Sequence, residues 1–297
     1  MKKYSPFILL LFLVLFACSD SNSQESEITT DPDPKNEEPE TPDVKDPDDT
    51  NYWDNAELVW SDEFEGSTVS SENWNFENRP SGWVNDELQN YQPEGNTEVS
   101  NGTLKIIAKK NTDNSIEGAF TSARMNSLKT FKYGRMEIRA KMPEHQGNGL
   151  WPALWMLGST IESVGWPACG EIDIMEYVSF KPNKTHSSLH STANNHTNGT
   201  EITSGPLDLE TIEEDFHNFG LLWSSKYLKF YIDDIDNIVF TFRRPSTYSI
   251  DSWPFQNEFY FIMNVAVGGN WGGLEGVDSS IFPATMEVDY VRVYQVN

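Results

Sequence analysis

Short stretches of alternating apolar and polar residues dominate the chain from Glu57 to Val296. Met136, Ile138, Ala140 and Met142 alternate with Arg135, Glu137, Arg139 and Lys141, the period of a strand with one buried face. Phe216 to Trp223 and Tyr227 to Ile232 predict two strands joined by Ser224-Ser225-Lys226, and Met286 to Tyr294 alternates again. Long helical periodicity is absent, with one short helix expected within Leu207 to Phe216. Many strands, turn residues between them and no repeat period predict an all-β antiparallel sandwich.

The pattern fails at the N-terminus. Lys2 and Lys3 precede the apolar run Phe7 to Phe16, which is too short to span a bilayer comfortably as a mature helix. Residues 1–17 are therefore expected to be a targeting segment. Residues 18–55 carry repeated Asp-Pro and Glu-Pro pairs and almost no large apolar side chain. Such a segment buries too little surface to fold and is expected to be an extended, disordered tether. Residues 56–297 then form one domain, with no internal repeat and no second domain.

Charge narrows the partners. The 297-residue chain carries a net −25. From Ser19 to Asn51 there are twelve Asp or Glu against two Lys, a net of −10; with the +2 of the leader also set aside, the rest holds −17. A surface this acidic disfavours nucleic acid and anionic lipid, and suits a neutral polymer. After Cys18, only Cys169 remains, so no intrachain disulfide supports the domain. Cys169 is expected to be a buried small hydrophobe rather than a nucleophile.

The densest chemistry lies in Gly170-Glu171-Ile172-Asp173-Ile174-Met175-Glu176-Tyr177-Val178. On a strand, Glu171 and Asp173 share a face. Strict alternation would set Met175 beside them; one extra residue, as in a β-bulge, brings Glu176 there instead. Three acids on one strand face repel one another, so folding alone does not favour them. A solvated sheet face is the plain alternative. The flanks argue against it, because Trp166 precedes the acids and Leu150-Trp151-Pro152-Ala153-Leu154-Trp155 lies upstream. Indole faces stack on sugars, and glycoside hydrolysis uses a pair of carboxyl groups.

The run W-P-A-C-G-E-I-D-I-M-E-Y, with G-L-W-P-A-L-W-M-L before it, resembles glycoside hydrolase family 16, its laminarinase-like endo-β-1,3-glucanase branch in particular. Val59 to Gly66, Asn85 to Tyr91, Thr121 to Arg124, Tyr133 to Glu137 and Met263 to Trp271 carry further matches, so the similarity covers about residues 56–296. The resemblance implies a β-jelly roll whose concave sheet holds the substrate cleft. It implies a retaining mechanism with Glu171 as nucleophile, Glu176 as acid/base and Asp173 between them, with no cofactor for catalysis. Trp151, Trp155 and Trp166 fit sugar platforms, and Asn85, Arg124 and His190 fit residues that bond sugar hydroxyls. His217 is read as core or as a support behind the site. Many relatives hold a structural calcium away from the cleft; Glu63, the Gly102 carbonyl and Asp289 match its ligands, or are ordinary exposed acids.

Leu15-Phe16-Ala17-Cys18 resembles a lipobox, although Phe16 departs from the small residue usual there. A Cys18 lipid anchor in a bacterial outer membrane, with the enzyme facing the cell surface, is the expectation; an ordinary secretory signal with an incidental Cys18 is the alternative. The expected enzyme is a monomer acting on β-1,3-glucan. Mixed-linkage β-1,3-1,4-glucan, agarose and a non-catalytic glucan-binding role are the alternatives.

Overall fold

The computed structural model describes residues 45–113, 118–144 and 147–296. Cys18, the targeting segment and most of the acidic stretch lie outside the described residues.

Two sheets make the domain. The larger orders the strands Ile238–Arg243, Tyr227–Ile232, His217–Trp223, Gly134–Lys141, Ala284–Gln295 and Thr103–Lys110, and continues through Phe120–Ser122 to Gln89–Tyr91. The smaller runs Ile202–Thr203, Lys184–His190, Glu171–Glu176, Leu150–Gly158, Phe259–Val267, Arg124–Ser127 and Trp74–Phe76. Pairing is antiparallel, with one short exception: Gln89–Tyr91 runs parallel to Phe120–Ser122. This is the β-jelly-roll sandwich expected.

Alternation explains how the smaller sheet gains both a core and a site. In Phe259–Val267, Phe259, Phe261, Met263, Val265 and Val267 enter the core between the sheets. Tyr260, Asn264 and Ala266 face the other way, into a cleft. Leu150, Leu154 and Met156 are core, whereas Trp151, Ala153, Trp155 and Leu157 line the cleft. Non-polar burial on one face holds the sheet down, so the opposite face is free to carry polar chemistry.

The four strands predicted from alternation are all present, at Gly134–Lys141, His217–Trp223, Tyr227–Ile232 and Ala284–Gln295. The helix expected within Leu207 to Phe216 is not. Leu207 and Asp208 pair with Thr185 and Lys184, and turns follow. Leu209 N–H donates to the Asn183 carbonyl and Ile212 accepts from Met142 N–H, so pairing with neighbours takes the backbone groups a helix needs. The α-helix among the described residues is a single turn, Ile161–Val164.

Residues 45–55, expected within the tether, pack on the domain. The compact unit begins at Lys45. Asp46 and Asp48 pair with Lys226, and Asp48 also with Arg243. Tyr227 Oη donates to the Pro47 carbonyl at 2.6 Å and accepts from Trp53 Nε1 at 3.1 Å. Trp53 packs on Leu222, Tyr227 and Tyr231. The acidic composition that argues for disorder meets a basic patch on the domain, and one tryptophan supplies the anchor.

Candidate active site

The acidic strand is bulged where its pattern demands. Against the Leu150–Gly158 strand, Asp173 pairs with Trp155 and Met175 with Leu154, leaving Ile174 as the extra residue. Ile174 and Met175 both enter the core, so Glu171, Asp173 and Glu176 share the opposite face. Glu171 pairs with Leu157 and Glu176 with Ala153, so the two glutamates are four residue steps apart on the neighbouring strand. That is about 13 Å of strand, within which long side chains lean together over Asp173. Gly170 precedes the strand at φ +85°, and a Cβ there would meet Pro254 and Phe259 at 2.8–2.9 Å. Only glycine allows both the turn and the close packing.

The three acids lie in a cleft of about 490 Å³, within the size range of ligand sites. Its lining includes Trp151, Trp155 and Trp166. Each indole N–H is committed. Trp151 Nε1 donates to Glu176 Oε1 at 3.1 Å, and Trp166 Nε1 donates to Glu171 Oε2 at 3.1 Å. Trp155 Nε1 donates to Asn264 Oδ1 at 2.8 Å. Their polar edges orient the rings, and their faces remain for an apolar sugar face.

Arg124 and Asn85 also line the cleft. The Arg124 guanidinium lies over the rings of Trp83 and Trp155, at 5.0 and 4.7 Å, and its Nε is buried without a partner. A sugar hydroxyl would satisfy that donor. Asn85 sits in a left-handed turn at φ +51° and donates to Glu87 Oε1. His190 pairs with Glu171 on the next strand. It is buried against the acids, with Nε2 3.2 Å from Asp173 Oδ2 and 3.6 Å from Glu171 Oε1, and so touches the carboxylates rather than the open cleft.

Burial sets the electrostatics. Desolvation, then the charge of Asp173, pushes Glu171 and Glu176 up to about 8. Desolvation also holds the Asp173 carboxyl well above the usual range. Three buried acids cannot all ionise together. At Glu171 the ionised form is favoured by His190 and then Arg124. Glu171 is half-buried and Glu176 buried, so Glu176 is the more enclosed of the two.

A supporting network lies outside the expected set. Asn264 Nδ2 donates to Tyr91 Oη, Tyr91 Oη donates to Glu87 Oε2 at 3.0 Å, and Gln89 Nε2 donates to the same oxygen at 2.7 Å. This chain fixes Asn264 and hence Trp155. His186, opposite Glu176 on the next strand, meets Trp271 edge-on, as does Trp151. These residues fall inside the Asn85-to-Tyr91 and Met263-to-Trp271 motifs or next to the histidine strand, which was their only signal. Cys169 is fully buried and its thiol is pushed up to about 12 by desolvation, so it is no nucleophile. His217 opens a strand of the larger sheet, bonded to Thr211 and Asp233, and is not among the residues lining the cleft.

Glu63, Gly102 and Asp289 sit on or beside strands of the other sheet. Both Glu63 oxygens accept from Arg292, and Asp289 pairs with Arg139.

The family model of Glycosyl hydrolases family 16 matches residues 85–292. The chain is 42% identical over 248 residues to a beta-glucanase of Rhodothermus marinus, covering 80% of this chain and 85% of that one. It is 36% identical over 259 residues to a glucan endo-1,3-beta-glucosidase of Cryptopygus antarcticus, covering 81% and 92%. Its fold matches the crystal structure of a laminarinase from Flavobacterium sp. UMI-01 with a TM-score of 0.72 and 41% identity, over 80% of this chain and all of that one.

Proposed function

The chain belongs to glycosyl hydrolases family 16 and is a glycoside hydrolase, and from that premise we propose that it is a retaining endo-β-1,3-glucanase acting on laminarin-like glucan. One observation carries the reading: Glu171 and Glu176 share a bulged strand face on the floor of a tryptophan-lined cleft, each holding an indole N–H. Glu171 attacks the anomeric carbon while Glu176 passes its proton to the departing glucosyl oxygen. An ester joins glycan and Glu171. Glu176, now ionised, takes a proton from water as that water attacks the anomeric carbon, which frees Glu171 and restores the acid. The Trp166 N–H holds one Glu171 oxygen, leaving the other for attack.

Laminarin is favoured by the relatives' named activities and by the acidic surface, which disfavours sulfated chains. Product analysis on laminarin, lichenan, agarose and carrageenan side by side tests the reading. Laminarin should yield a ladder of oligosaccharides that appear first as the β-anomer by NMR. Initial α-anomers would exclude retention, and cleavage of agarose alone would exclude the glucanase reading. The N-terminal sequence supports export and a Cys18 lipid anchor at an outer-membrane surface. Cys18→Ala should move the enzyme from membrane to soluble fractions; continued membrane association would refute the anchor.

A further inference from the structure

We infer that Glu171, Asp173 and His190 form a binding site for a divalent transition ion such as zinc, which would block the catalytic centre reversibly. Among the described residues, these three are the one group of three or more acid, histidine or cysteine side chains whose ligand atoms all lie within 4.8 Å of one another. Their spacing suits zinc. His190 Nε2 is 3.2 Å from Asp173 Oδ2 and 3.6 Å from Glu171 Oε1. Zinc bonds of roughly 2.0–2.2 Å at tetrahedral angles put neighbouring ligand atoms about 3.3–3.6 Å apart. The Glu171 and Asp173 ligand atoms lie within 4.8 Å of each other, so rotation of the carboxyl groups would bring all three residues onto one ion.

A second feature points inward independently. Asp173 is 4% exposed, and its Oδ2 makes no hydrogen bond, despite the 3.2 Å approach of Nε2. A buried carboxylate oxygen that makes no hydrogen bond is costly, and a cation shared with His190 would offset that cost. The fourth coordination position would face the cleft, where Glu171 is partly open. Imidazole with carboxylates suits zinc or copper, whereas magnesium and calcium prefer all-oxygen cages. The ion would occupy the oxygens of Glu171 that otherwise attack sugar. The inhibition arm therefore rests on the proposed role of Glu171, but the binding arm does not.

Calorimetry with zinc chloride and the chelator-treated full chain tests binding without reference to activity. One ion per chain is expected, with at least about tenfold weaker binding in His190→Gln and in Asp173→Asn. Laminarin hydrolysis should show zinc inhibition competitive with substrate, and the inhibition constant should rise by the same factor in the variants. Magnesium should bind at least about tenfold more weakly than zinc. Cys169→Ser should bind zinc as the wild type does, since its thiol is buried outside the triangle. Zinc binding that is unchanged in folded His190→Gln and Asp173→Asn, or that is lost in Cys169→Ser, would overturn the site. Competitive inhibition with unchanged binding in both variants would place the ion elsewhere in the cleft and equally overturn it. Loss of zinc binding in an enzyme whose Glu171→Gln variant stays active would leave the site standing and remove the role of Glu171.

Discussion

A carboxylate in this cleft is expensive to ionise, and that cost makes the individual residues testable. Glu171→Gln should lower hydrolysis of laminarin by at least about 10³-fold, because it removes the covalent route. Glu176→Ala should cost about 10²–10⁴-fold on glucan but far less on an aryl glycoside, whose leaving group needs little protonation. Azide should then speed the second step, and absence of any rescue would count against Glu176 as the acid. Stability carries an independent sign. Both glutamates are raised from 4.5 to about 8 in the folded state. The native site thus keeps protons that the unfolded chain releases, so their contribution to stability falls as pH rises from about 4.5 to about 8, and is level beyond. Glu176→Gln should therefore stabilise the fold by about 1–2 kcal/mol at pH 8, a few degrees in Tm, and by much less at pH 5. An equal gain at both values would refute the buried-acid account. The acids were legible in the sequence because three carboxylates in an apolar run have no structural excuse. The chain Glu87–Tyr91–Asn264–Trp155 was not, since its members come from distant strands and no local spacing links them.

At the scale of elements, the bulge and the N-terminal strap carry the consequences. Ile174 and Met175 are consecutive yet both buried in the core. Alanine at either should cost about 2–4 kcal/mol by chemical denaturation. Under strict alternation one of them would face the cleft, and its truncation would change turnover with little loss of stability. Period two located the strands, and the extra residue was inferable because the third acid was otherwise out of phase. The strap escaped the sequence because acid and proline content argues for disorder unless a basic partner lies opposite, and Lys226 and Arg243 are remote in the chain. A chain starting at Lys45 should match the full chain in Tm and kcat. One starting at Ala56 should lose about 1–3 kcal/mol with Trp53 and its neighbours, with kcat on soluble laminarin unchanged. Equal stability of the two would return residues 45–55 to the tether.

For the molecule as a whole, the sandwich separates two tasks. Apolar residues between the sheets hold the smaller one in shape, and its outer face is left to hold tryptophans and acids that contribute little to folding. The net charge of −25 lies on a protein whose proposed substrate is uncharged. Hydrolysis of laminarin should accordingly change less than about twofold from roughly 0.02 to 0.5 M salt, because no charged encounter is screened. A steep dependence would indicate a charged polymer instead. The fold class and the cleft were legible in alternation and motif; the cleft's width and the residues behind it depend on loops and packing that no pattern encodes. The central claim is that Glu171 forms a covalent bond to sugar. Trapping tests it most directly: incubate the enzyme with a 2-deoxy-2-fluoro-laminaribiosyl fluoride, measure the intact mass, and map the labelled peptide. The account predicts one glycosyl adduct per chain, on Glu171, and none in Glu171→Gln. An adduct on Asp173 or Glu176, or turnover of the reagent through an inverting route with no adduct at any time, would contradict it.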